Sequence, residues 1–247
     1  MRVLEPITIS SVDSGPYDSP TQPKSNVLLD APGVYFASSV PVGNYGYINF
    51  ETAGGSINSI CLLGVSATGV DTIKMLVGPT ESEIAPANLT TISIDDAYTG
   101  KRAIWYTFDA TTETKWVIRI WRASGDPVFV IGCLKAGTTH EQTGVLYPLE
   151  EGLDDPTVQI HLADGSVYRG AQIAPARTFG ATVRALRSEV EPFMATLRRI
   201  GGKPTMWHMA PDLGDYYFLY GRLAGMPQAS HAWPVVSSAS LAVREWI

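Results

Sequence analysis

Apolar and polar residues alternate along most of the first half of the chain. In WVIRIW (116–121), Trp116, Ile118 and Ile120 fall on one face of an extended strand, and Val117, Arg119 and Trp121 fall on the other. Runs of similar length recur at YGYINFET (45–52), INSICLLGV (57–65), TIKMLVG (72–78), TTISID (90–95), AIWYTFD (103–109) and VFVIGCL (128–134). Gly, Asp, Asn, Ser or Thr separates most of them, and no helical period intervenes. The pattern predicts an antiparallel β-sandwich over residues 27–138. The run WVIRIW and its continuation, ASGDPVFVIG, pose one question: an aromatic-lined groove, or the middle of a packed sheet.

The remainder is mixed. TVQIHLADGSVYRG reads as a hairpin, with Asp164-Gly165 supplying the positive φ of a tight turn. RTFGATVRALR (177–187) alternates as a strand. The period then changes: Val190, Phe193, Met194, Leu197 and Ile200 mark one face of a helix near 189–200. Ser188 and Glu191 have capping-box spacing, which places Pro192 in the first turn, where its missing N–H has no partner to lose. Arg198 and Arg199 suit the helix C-terminus, and Gly201-Gly202 ends it. PTMWHM, YYFLYGRLAG and SASLAVREWI read as closing strands. Residues 157–247 are thus a second, β-rich (α+β) domain with one helix.

Two segments lack this order. Residues 1–26, with Pro16, Pro20 and Pro23 in a polar stretch, read as an N-terminal arm, either loose or laid extended along a neighbour. Residues 139–156, with Gly, Pro and acidic pairs, read as a connector. The final Trp246-Ile247 follows an alternating strand, so it is expected to be locked in the sheet or inserted into a neighbour.

Composition narrows the class. With 45% hydrophobic and 17% charged residues, the 247-residue chain can bury a full core. A net charge of −6 without a basic stripe argues against nucleic acid. No apolar run reaches the roughly 18 residues of a membrane span. The first residues lack a signal peptide's apolar region, so synthesis in a cytoplasm is expected. Cys61 and Cys133 sit in apolar runs and are expected as reduced core thiols.

The stretches GGSINSICLLGVSATGVDTIKMLVG (54–78) and KWVIRIWRASGDPVFVIGCLKAG (115–137) resemble the galactose-binding-like (discoidin-type) sandwich of tail proteins of long-tailed bacteriophages. DGSVYRGAQIAPARTFGATVRAL, GGKPTMWHMAPD and SLAVREWI resemble the C-terminal half of the same proteins. The resemblance covers residues 28–247. It implies a minor tail protein at the tail tip or baseplate of a virion, made in the host cytoplasm, without catalytic activity, and with the Trp116–Trp121 strand as scaffold. A symmetric homo-oligomeric ring contacting tube, hub or fibre proteins is the expected assembly. Exposed aromatics and arginines dominate interfaces, which nominates Tyr17, Arg198, Arg199, Tyr216, Tyr217 and Trp246.

Other chemistry is weaker. The four histidines (His140, His161, His208, His231) lie in unrelated contexts, and no G-x-S-x-G elbow occurs. His208 with Asp212 offers too few ligands for a metal site, and Asp95-Asp96 reads first as a solvated turn, with a bound calcium as the alternative. Glu81 with Glu83, and Glu150 with Glu151, are sequence neighbours, which says nothing about a catalytic cleft. No cofactor or metal is expected. The alternative function is a carbohydrate-binding module for a host-surface glycan. Trp105, Tyr106, Trp116 and Trp121 are candidates to stack a sugar but read first as core. Tyr35, Tyr45 and Tyr47 lie near loops and are the binding residues of that alternative.

Overall fold

The computed structural model describes residues 1–15, 19–30, 34–39, 41, 43–66, 70–78, 90–97, 103–122, 128–154, 159–161, 167–169, 175–231 and 235–246. The chain forms two compact units. One comprises Arg2–Glu141 and Thr205–Phe218; the other comprises Gln142–Pro204 and Leu219–Ile247, with Met1. The fold is mainly β, with one α-helix.

The first unit is an antiparallel sandwich. One sheet orders β16 (Thr205–His208), β1 (Arg2–Ile7), β11 (Cys133–Glu141), β5 (Ile57–Leu63) and β8 (Ala103–Thr111). The other orders β2 (Ile9–Ser14), β4 (Tyr45–Thr52), β9 (Lys115–Arg122), β6 (Val70–Gly78) and β7 (Thr90–Ala97). A two-stranded piece, β3 (Phe36–Ser38) with β10 (Phe129–Ile131), completes it. The alternation read from the sequence becomes the core: Ile60, Leu62, Leu134 and Ala136 from one sheet meet Ile48, Phe50, Ile118 and Ile120 from the other.

Trp116 lies in this core at 1% exposure. It is the direct cross-strand partner of Phe50, and the two rings stack at 6.1 Å. Its indole N–H donates to the Glu113 carbonyl at 3.2 Å, which satisfies its one polar atom. The strand at 116–121 is therefore wall. Truncating such a residue to alanine typically costs about 3–5 kcal/mol.

The N-terminus departs from the expected arm. β1 pairs with β11 along its whole length and with β16, and β2 pairs with β4. Val3 and Leu4 are fully buried. The physical reason lies in Gly137: a Cβ there would stand 2.1 Å from the Glu5 carbonyl oxygen, so only glycine lets the first strand close against β11. Pro20 and Pro23 follow these strands rather than interrupting them, and Pro16 lies outside the described residues.

The expected connector is also strand. β11 runs to Glu141, and β12 (Val145–Asp154) is the edge strand of the second unit, where solvated acidic residues are tolerated. The 205–218 segment belongs to the first unit, because Arg2 and Val3 pair with His208 and Trp207.

The second unit orders β12, β15 (Ala176–Leu186), β19 (Val236–Glu245) and β17 (Phe218–Leu223), with β18 (Gln228–Ser230) also on β19. β13 (Gln159–His161) pairs separately with β14 (Val167–Arg169); the expected turn at Asp164-Gly165 lies outside the described residues. Helix α1 (Arg187–Ile200) buries Val190, Phe193, Met194, Leu197 and Ile200 and packs on β15 and β19. It begins two residues before the expected start. Leu186, still extended and paired with Val236, is the N-cap, and no side chain caps the helix. Pro192 therefore sits in the second turn, where it removes the bond its N–H would make to the Ser188 carbonyl. An Arg187–Glu191 ion pair of 2.6 Å spans that turn. Gly201, at φ 61°, ends the helix.

Candidate functional site

The strands of the second unit have two unlike faces. Phe179, Ala181, Val183, Ala239, Leu241 and Val243 are buried. The alternate positions of β15 and β19 carry small side chains: Gly180 pairs with Ala242, and Thr182 pairs with Ser240. Gln228 of β18 pairs with Ser240 from the other side, so Thr182, Ser240 and Gln228 form one row across three strands. Small residues sink this face below its borders. The result is an open trough of about 480 Å³.

One border is Glu150, placed by a bulge. β12 pairs Leu146 with Thr182 and Glu150 with Gly180, so four residues of β12 span two of β15. The irregularity moves Glu150 one row along the sheet, opposite Gly180 rather than Thr178. The Glu150 carboxylate folds over Gly180: a Cβ on that glycine would stand 3.2 Å from both Glu150 Cβ and Oε2. The opposite border is the turn Gly225-Met226-Pro227, held by the Ala224 N–H donating to the Ala242 carbonyl at 2.9 Å. Met226 is 64% exposed and gives the trough an apolar wall. The hydroxyls of Thr182 and Ser240 stand 3.4 Å apart, a weak mutual bond that leaves both able to bond elsewhere. The trough thus combines hydroxyls, an amide, a carboxylate and a thioether wall.

None of these residues was singled out from the sequence as a binding residue. The signal that reveals them is the run of small outward positions, Gly180 and Thr182 facing Ser240 and Ala242, on strands whose inward positions are large.

The tyrosines nominated for sugar binding are not brought onto one described cavity. Tyr35 is 40% exposed, before β3, and its carbonyl accepts from Asn26 Nδ2 at 2.9 Å. Tyr47 packs on Val117, with its ring over Gly15. The side chain of Tyr45 lies outside the described ones, as does that of Trp121. Tyr106 is core, and Trp105 donates to Thr139 Oγ1 at 2.9 Å on the face of its sheet away from the sandwich core.

Of the nominated interface residues, Tyr17 lies outside the described residues. Arg198 and Arg199 are exposed on α1, and Arg199 donates to Thr196 Oγ1 at 3.0 Å. Tyr216 is 56% exposed and meets Tyr217 edge-on at 5.2 Å. Trp246 is half-buried under the Arg222 guanidinium, 4.9 Å from its ring, and its N–H donates to the Tyr220 carbonyl. The last aromatic is thereby locked to its own sheet.

Among the described residues no group of His, Cys, Asp and Glu could hold a metal ion. The side chains of Asp95 and Asp96 lie outside the described ones, and so do residues 81 and 83. His208 Nε2 sits 3.2 Å from the Gly214 carbonyl, and His140 Nε2 sits 2.8 Å from Glu5 Oε2. His231 Nδ1 lies 2.7 Å from Ser237 Oγ, but Ser237 is 1% exposed, which closes it to a substrate. The two cysteines are free and buried. Burial raises both thiols: Cys61 well above its usual value, Cys133 to about 12.

No family model and no curated protein matches this chain. Among solved structures it is similar, over about half its length, to chitosan-binding module 1 of a chitosanase/glucanase from Paenibacillus sp. IK-5. That match has 15% identity and a TM-score of 0.43, covering 51% of this chain and 92% of that one. It is similar also to the CBM32 of AlyQ in complex with 4,5-unsaturated mannuronic acid, at 16% identity and a TM-score of 0.41, covering 53% and 96%. A pectin-binding carbohydrate-binding module matches at 12% identity and a TM-score of 0.41, covering 53% and 91%. Matches this distant assign no ligand.

Proposed function

We propose that this chain is a non-catalytic carbohydrate-binding protein whose ligand lies in the trough of the second unit. The observation that carries the reading is the trough itself. Its volume of about 480 Å³ falls within the roughly 300–1,000 Å³ of small-ligand sites. A saccharide presents hydroxyls that both donate and accept. Thr182 and Ser240 match both roles, Gln228 supplies an amide, and Glu150 accepts. Met226 offers apolar surface to the C–H face of a sugar ring. Ala242 puts little in the way of the floor, and Gly180 leaves room for the Glu150 carboxylate above it.

The test is a glycan array followed by calorimetry on the whole chain. Saturable binding that falls several-fold in Thr182→Val and Gln228→Ala supports the reading. Binding abolished by Tyr35→Ala and untouched by those two changes moves the site to the sandwich. Silence across the array overturns the reading.

The assembly role implied by the sequence resemblance is the second reading. One observation favours it: Leu213 and Tyr216, 54% and 56% exposed, stand three residues apart on consecutive turns of the first unit. Exposed apolar residues so placed suit a protein contact. Light scattering tests it: an oligomer that dissociates in a Leu213→Ser, Tyr216→Ser double variant supports assembly through this patch, and a monomer at all concentrations removes it.

A further inference from the structure

Resting on the carbohydrate reading, we propose that the trough takes a saccharide carrying a free amino group. Among the described lining residues, Glu150 is the one charged side chain. No ion pair or side-chain hydrogen bond joins the Glu150 carboxylate to another described residue. The arginines of the same sheet face do not neutralise it. Arg244 is held by Asp154 at 3.0 Å, Arg222, its cross-strand neighbour, lies over the Trp246 ring, and Arg184 lies one row beyond Thr182; none of the three lines the trough.

Two features of the backbone put the carboxylate there. The two extra residues in β12 set Glu150 opposite Gly180 rather than Thr178, and the missing side chain at Gly180 leaves room for it to fold over the floor. A carboxylate held over a concave surface of hydroxyls is an incomplete set: it has acceptors to spare and no cation. A sugar ammonium completes it through a charge-assisted hydrogen bond, while the ring hydroxyls meet Thr182, Ser240 and Gln228. N-acetylation removes the charge and adds bulk above Gly180. A uronic acid sets like charges against each other.

The experiment is calorimetric titration of the whole chain with glucosamine, N-acetylglucosamine and glucose oligomers of equal length. It is run on the parent protein, Glu150→Gln and Thr182→Val, with thermal melts confirming that each variant folds. The expected result is a preference of about tenfold or more for the glucosamine oligomer in the parent. That preference falls to parity in Glu150→Gln and weakens at high salt, while Thr182→Val lowers affinity for all bound sugars alike. Equal binding of the three oligomers, unchanged by Glu150→Gln, overturns the amino-sugar inference and leaves carbohydrate binding standing. Tighter binding of another neutral glycan on the array does the same. No binding of any glycan overturns both.

Discussion

The indole N–H of Trp105 donates to Thr139 Oγ1 at 2.9 Å, reaching across β5 from β8 to β11. Thr139 donates in turn to Ser59 Oγ at 2.6 Å, and its backbone N–H donates to Asn58 Oδ1 at 2.7 Å. One hydroxyl thus joins three strands on the face of the sheet away from the sandwich core. Thr139→Val keeps the shape and removes the hydroxyl, leaving the Trp105 N–H and the buried Ser59 hydroxyl without it. The expected loss is about 1–3 kcal/mol, measured by chemical denaturation. A Trp105→Phe, Thr139→Val double variant is expected to lose less than the sum of the two single changes.

Gly180 is expected to matter for binding more than for folding. Its replacement by alanine sets a methyl 3.2 Å from Glu150 Cβ and Oε2, so the carboxylate must shift by a few tenths of an ångström. Alanine in a strand interior offsets that crowding by roughly 0.5–1 kcal/mol. The melting temperature is expected to change little while saccharide affinity falls several-fold; the two readouts come from one melt and one titration of the same preparation.

The thiols of Cys61 and Cys133 are expected to be inert in the folded protein. Both are buried, and burial pushes the Cys133 thiol up to about 12. At pH 8 the raised thiol stays protonated, and the thiolate is the nucleophile. Iodoacetamide is expected to label neither residue before denaturation and both after it, read by intact mass.

Asp13 carries a pH signature. The Lys24 ammonium holds its carboxyl below the usual value of 3.8. A depressed folded pKa stabilises the fold above the unfolded value, and the gain is lost as pH falls through the lower folded value. Both side chains are well exposed, so screening limits the pair to roughly 0.2–1 kcal/mol. Asp13→Asn is expected to be less stable than the parent at neutral pH by that amount and equal to it in strong acid, measured by urea unfolding at both pH values.

The strands and the core of the sandwich were legible in the chain because a half-buried strand writes its burial as alternation. Trp116, Ile118 and Ile120 face inward for that reason alone. Helix α1 was equally legible from its period, and Gly201 as its end. Its start was not, because the ladder between Leu186 and Val236, a contact between distant residues, sets where extended backbone stops.

The N-terminal strands were hidden because their partners are far away. Pro16, Pro20 and Pro23 suggested a loose arm, but the docking of β1 is decided by Gly137, more than a hundred residues later. The trough was hidden for a related reason. Glu150 read as one of the acidic pairs of a connector, and Thr182 and Ser240 lay in runs read only as strands. Local sequence sets which face of each strand a residue takes. Only the pairing of β12, β15, β19 and β18 brings those faces side by side, because a concave surface is a property of neighbouring strands and not of any one of them.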